Sequence, residues 1–131
     1  MANPDHLAHL QAGDWNSWRE ANPSLAPGLI DADLTRAIIE GASLTGAHLS
    51  EARLDFLDLS ELDMSRSSLR GANLTRAVLR SCDMAQCQLE SAIFDHADLS
   101  GAIGSRKFLF TELDGKAPVR RFQGFPAPGT A

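Results

Sequence analysis

Large apolar residues recur at every fifth position from Leu29 to Leu99, fifteen in succession without a miss. They are Leu29, Leu34, Ile39, Leu44, Leu49, Leu54, Leu59, Met64, Leu69, Leu74, Leu79, Met84, Leu89, Phe94 and Leu99. A small residue usually stands two positions earlier, as at Ala32, Ala37, Ala42, Ala47, Ala52, Ala72, Ala77, Ala92 and Ala97. The unit reads Ala-Asp-Leu-Thr-Arg from Ala32 and Ala-Asn-Leu-Thr-Arg from Ala72. On an α-helix, at roughly 100° per residue, successive apolar groups would land about 140° apart and bury no single face. On a flat strand a five-residue step reverses the side, so alternate leucines would face water. A chain that turns a corner in every repeat keeps them all inside. It coils and stacks upon itself.

The residues carrying this pattern, about 27–103, resemble the pentapeptide-repeat family. That resemblance implies an all-β solenoid: a right-handed, four-sided parallel β-helix with one pentapeptide per side and both the large and the small residue inward. Fifteen repeats, at four to a coil, give just under four coils and a rod about 18 Å long at the spacing of paired strands. Leu34, Leu54, Leu74 and Phe94 form one column of its structural core. Leu57 and Leu62 occupy the small inward slot, where added methylenes overpack at a typical cost of about 1–3 kcal/mol, and the flexible Met64 beside them can yield volume. Cys82 and Cys87 fill the same slot and read as buried small hydrophobes.

The chain divides into an N-terminal helical cap over 1–26, the repeats over 27–103, and a C-terminal cap or hairpin with a flexible tail over 104–131. Asn3-Pro4-Asp5 is a helix start, and Gly13 closes that helix. Asp14 caps a second, ended by Asn22-Pro23, which places Trp15 and Trp18 on one side, packed on the first coil. This segment is similar to the helical leader that precedes many pentapeptide-repeat domains. At the other end, residues 108–113, Asp114-Gly115 and 116–122 read as a hairpin. Phe108, Phe110, Phe122 and Phe125 are candidate cap or dimer contacts there, since several members of the family dimerise through apolar C-terminal ends.

Little in the chain points to catalysis. There is no glycine-rich phosphate loop, nucleophile elbow or metal-binding helix signature. His6 and His9 lie a helical turn apart but lack a third ligand, so they read as surface polar groups. No cofactor and no metal are expected. Two cysteines five positions apart make no disulfide framework, and no run approaches the ~18 apolar residues of a membrane span. The expected setting is the cytoplasm, away from the membrane.

Charge and surface then define the function. Residues 27–103 carry twelve acids and six arginines, whereas 104–131 carry two acids and five bases. Direct nucleic-acid binding is not expected of such an acidic body. Residues twenty apart should stack on neighbouring coils, which makes a column of Arg36, Phe56, Arg76 and His96 beside Thr35, Asp55, Thr75 and Asp95. Either the arginines stack on Phe56 and pair with Asp55 and Asp95, or the stripe is a candidate partner-binding site. A second column, Ile38, Asp58, Val78 and Asp98, alternates apolar and acidic, and Asp63 stacks on Asp83. The reading is a non-enzymatic protein–protein interaction scaffold for an unidentified protein, with a possible homodimer through the C-terminal segment. The alternative, which the resemblance supplies, is a DNA-mimicking inhibitor or protector of a type II topoisomerase.

Overall fold

The structure is a computed structural model and describes residues 1–104. The expected hairpin and the contacts assigned to Phe108, Phe110, Phe122 and Phe125 lie outside the described residues.

All fifteen period-five residues are buried, most at 0% exposure and Ile39, the least covered, at 7%. Each repeat closes the same turn. The backbone N–H three residues after the large apolar residue donates to that residue's carbonyl, from Ala32 to Leu29 (3.1 Å) through Ala102 to Leu99 (3.0 Å). The residue before that donor adopts a left-handed φ of 57–73° in every repeat except at Arg36. A positive φ at the third residue of a turn is the mark of a type II turn and favours glycine, which occupies the position at 41, 46, 71 and 101.

These corners leave room for only short ladders. Backbone links join each residue to the one twenty further on, as in the parallel bridges Asp33↔Arg53, Arg53↔Asn73 and Asn73↔Ile93. Leu54 N–H donates to the Asn73 carbonyl (2.8 Å), and Asn73 N–H donates back to Ala52 (3.0 Å). Four five-residue repeats therefore separate bridge partners, and the stacked coils make a β-helical solenoid. Regular strands are rare because the chain turns after one or two ladder residues. The only continuous pair among the described residues is β1 (Asp83–Met84) with β2 (Ile103–Gly104), parallel.

Two helices close the first coil. α1 (Pro4–Ala12) starts at Asn3, whose side chain accepts from Asp5 N–H (2.9 Å), and ends at Gly13 with φ 82°. α2 (Trp15–Ala21) follows. Asp14 stands at its N-cap position but makes no cap bond, contrary to the sequence expectation. Its carboxylate instead meets His9 Nδ1 at 3.0 Å.

The helices bond to the backbone that the first coil leaves without a preceding strand. Gly28 N–H donates to His6 Nδ1 (2.9 Å), Ile38 N–H to the Leu10 carbonyl (3.1 Å), and Ser43 N–H to Asn16 Oδ1 (2.9 Å). On the acceptor side, the Ser43 carbonyl receives Trp15 Nε1 (2.6 Å) and Arg19 Nη1 (3.0 Å), and Thr45 receives Arg19 Nη2 (2.9 Å). Burial lowers the Arg19 pKa. Trp18 stacks on His9 and is tilted against His6 and Trp15. The two histidines are thus spent on the cap, one on a backbone amide and one on Asp14. No helix among the described residues is long and apolar enough to cross a membrane.

Among the described residues the ladder opens between the first two coils. Asp31, Leu34, Leu44 and Gly46 of the first coil each donate forward to the second, but the N–H groups of Arg36, Ile39 and Gly41 have no backbone acceptor among the described residues. Here the chain is held from the other side. Ile38 bonds to Leu10, and its Cδ1 lies over Gly13, where a Cβ would come within 3.3 Å of it. A recess of about 360 Å³ lined by Glu40, Gly41, Asp58, Ser60, Glu61 and Leu62 marks the opening.

Candidate functional site

The left-handed corner position decides which side chains stand out from the coil. Phe56 (φ 65°), Arg76 (φ 58°) and His96 (φ 59°) occupy it on successive coils, and Arg36 occupies the equivalent place on the first. All four are exposed, Phe56 at 68%. Backbone bonds tie the corners together, from Phe56 N–H to Thr75 (2.9 Å) and from Arg76 N–H to Asp95 (2.8 Å). A bulky residue at positive φ costs about 1–3 kcal/mol and persists only where the surroundings impose it.

Among the described residues the self-satisfied stripe allowed by the sequence is not formed. Phe56 makes no ring contact among the described residues; those contacts belong to His6, His9, Trp15 and Trp18. Asp55 pairs with Arg53 (3.3 Å), which also reaches Asp33 (3.5 Å). Thr35 and Thr75 turn their hydroxyls to Asp33 (2.5 Å) and Asn73 (2.6 Å). Arg70 holds Glu90 (3.0 Å) and Arg80 holds Asp98 (2.7 Å). Arg36 and Arg76 hold no carboxylate within salt-bridge distance among the described residues. Arg36 comes last among the influences that lower the Asp33 pKa, after the Thr35 hydroxyl, the Thr35 amide and Arg53.

The acidic columns prove to be turn chemistry. Wherever Asp or Asn precedes the central apolar residue, its side chain accepts from the N–H two residues on: Asp33 from Thr35, Asp58 from Ser60, Asp63 from Ser65, Asn73 from Thr75, Asp83 from Ala85 and Asp98 from Ser100, each at 3.0 Å. Such Asx turns hold the corner from outside. They also explain how Asp63 can bridge Asp83, since each carboxylate is occupied by its own turn. The Ser100 hydroxyl, with Arg80 and the Ser100 amide behind it, holds the Asp98 carboxyl down to about 2. The same interactions with Thr35 and Ser60 lower Asp33 and Asp58. The signal was present in the sequence as Asp/Asn-x-Ser/Thr, in Asp33-Leu34-Thr35, Asp58-Leu59-Ser60, Asp63-Met64-Ser65, Asn73-Leu74-Thr75 and Asp98-Leu99-Ser100.

Cys82 and Cys87 are free and buried; burial pushes both thiols up, away from the reactive thiolate. Cys87 donates to the Met64 carbonyl (2.9 Å) and lies 3.3 Å from Ser67 Oγ. Among the described residues no group of three or more His, Cys, Asp or Glu is placed to hold a metal ion. A second recess, lined by Asn16, Arg19, Glu20, Pro23 and Ser43, lies between α2 and the first coil, and its Arg19 is already bound to that coil.

No curated protein matches the chain. Among solved structures the chain is similar to a pentapeptide repeat protein (Rfr23) from the cyanobacterium Cyanothece 51142, with 24% identity over 58% of this chain and a TM-score of 0.24. The match spans about half of that protein, 52% of its length. The family profile for pentapeptide repeats (8 copies) matches residues 29–66 and again 67–103. Those two matches together cover more than half of the chain, and it belongs to the pentapeptide-repeat family.

Proposed function

We propose that this chain is a non-enzymatic protein–protein interaction scaffold, working in the cytoplasm through the surface of a right-handed, four-sided rod of just under four coils. Bridges at twenty-residue spacing support the four sides. The observation that carries the functional reading is the corner of Arg36, Phe56, Arg76 and His96. An aromatic ring 68% exposed in a left-handed conformation, flanked by arginines without salt bridges among the described residues, is costly for folding and suited to contact. Elsewhere Asx turns engage Asp33, Asp58, Asp63, Asp83 and Asp98, and Arg53, Arg70 and Arg80 hold carboxylates.

The DNA-mimic reading is not better supported. It calls for a continuous acidic face, whereas Arg53, Arg70 and Arg80 interrupt it by pairing with Asp33, Asp55, Glu90 and Asp98. A homodimer through Phe108, Phe110, Phe122 and Phe125 remains part of the proposal; light scattering at high concentration checks it, a monomeric mass removing it. The scaffold itself is tested by affinity capture from the native cell with wild-type and Phe56→Ala chains of matched circular dichroism. We expect partner capture to be lost with Phe56→Ala. Equal capture by the two chains would remove the corner from the proposal.

A further inference from the structure

The arginines of the coil divide by what they hold. Arg53, Arg70 and Arg80 each bind a carboxylate, while Arg36, Arg66 and Arg76 bind none among the described residues. Two of the uncommitted three share one corner, with Phe56 between them. The corner positions on either side are acidic or small: Asp31 and Glu51 on one, Gly41 and Glu61 on the other. Among the described residues this corner joins two uncommitted arginines to an exposed aromatic ring, on a repeat region that carries twelve acids and six arginines. We infer that the corner of Arg36, Phe56 and Arg76 docks an acidic, extended polypeptide segment of a partner, with carboxylates on the two guanidinium groups and an apolar side chain against the Phe56 ring. This deepens the scaffold reading above and rests on it.

Three features select that occupant. Paired coils stack at about 4.8 Å and the ladder is open at Arg36, so Arg36 and Arg76, two coils apart, stand about 10 Å or more apart at the backbone, within the roughly 13 Å that a four-residue step of extended chain spans with its alternate side chains on one face. Guanidinium and carboxylate form paired hydrogen bonds, and the arginine stems can adjust to a partner's register. The main chain of the corner is already engaged, Phe56 N–H with Thr75 and Arg76 N–H with Asp95, so the segment is held through side chains and not as an added strand. A long polyanion such as nucleic acid fits poorly. It would run past Asp31, Glu51 and Glu61 on the neighbouring corners, within a repeat region of twelve acids and six arginines. The exposed Asp95 beside His96 confines the anionic contacts to the Arg36–Arg76 stretch.

Fluorescence anisotropy with the full chain tests the inference. The probes are a labelled fifteen-residue peptide of Asp and Glu around a central Leu, the same peptide with Lys for each acid, and a single-stranded oligothymidylate. The acidic peptide should bind, more weakly as salt rises. Arg36→Gln with Arg76→Gln should weaken it by about tenfold or more, as for a desolvated charge contact. Phe56→Asn should weaken it by about fivefold or more, in the range of an interface anchor. Arg66→Gln, which removes one such charge from another corner, should leave it unchanged. These exposed substitutions are checked for folding by circular dichroism. An equal loss with Arg66→Gln, no binding of the acidic peptide, or tighter binding of the oligothymidylate or the Lys peptide would each overturn the inference. If native capture depends on Phe56 while the acidic peptide fails to bind, the acidic partner is wrong and the scaffold stands. If capture is independent of Phe56 as well, the corner leaves the scaffold reading and the acidic partner falls with it.

Discussion

The small inward slot controls the tightness of each corner. Where it holds Ala, the turn hydrogen bond measures 3.0–3.1 Å; where it holds Leu57, Leu62, Ser67, Cys82 or Cys87, it lengthens to 3.2–3.3 Å. Leu57 gives the longest and is only half-buried, whereas Leu62 is 3% exposed. Overpacking is thus absorbed by a wider turn and by partial escape to the surface. Truncation should therefore act very differently at the two inward positions. Leu54→Ala, at a fully buried central position, should cost about 2–5 kcal/mol. Leu57→Ala, which removes bulk while letting its turn shorten, should change stability by about 1 kcal/mol or less. Urea denaturation measures both, and equal losses would contradict this account of the slots. At Phe56 the strain has a separate consequence: Phe56→Asn, a residue that tolerates φ 65°, should hold or raise stability by up to about 1 kcal/mol.

At the scale of elements, the leader is the edge protection of the solenoid. Arg19 makes three hydrogen bonds to Ser43 and Thr45. Arg19→Met keeps much of the aliphatic stem but leaves those acceptors exposed or unpaired, and should lower stability by about 1–3 kcal/mol, with oligomers appearing on size-exclusion chromatography if the edge is uncovered. The turns carry an acid dependence. Asp98 has its carboxyl lowered from 3.8 to about 2, so the folded state favours its charged form. Its contribution is full above about pH 4 and is lost as the pH falls through about 2. Asp98→Asn retains the turn acceptor but not the charge, so the drop in urea midpoint between pH 7 and pH 2.5 should be smaller than in wild type; an unchanged drop would contradict this role. Trp15 against the first coil and the Asn3 and Gly13 helix ends were legible in the sequence because capping is local chemistry. The partners of His6, Asn16 and Arg19 were not, because they are 22 to 27 residues away and follow from how the helices dock.

Across the whole molecule, the inward pattern could be read directly, since period five admits few ways to bury every large residue. The outer surface could be placed in columns but not in pairs. Arg53, not Arg36 or Arg76, neutralises Asp55, a choice made by side-chain geometry between neighbouring positions that spacing cannot supply. Nor does periodicity reveal the opening between the first two coils, which arises where α1 holds Ile38. Both features follow from a coil that closes every twenty residues, and that closure orders the surface on which the scaffold reading depends. Through-hydrogen-bond couplings between amide nitrogen and carbonyl carbon, measured by NMR, test it most directly. The account predicts correlations of Leu54 with Asn73, Phe56 with Thr75 and Arg76 with Asp95, and none for Arg36, Ile39 and Gly41, whose amides should exchange rapidly. Correlations at another sequence spacing, or a protected ladder running through Ile39 and Gly41, would contradict it.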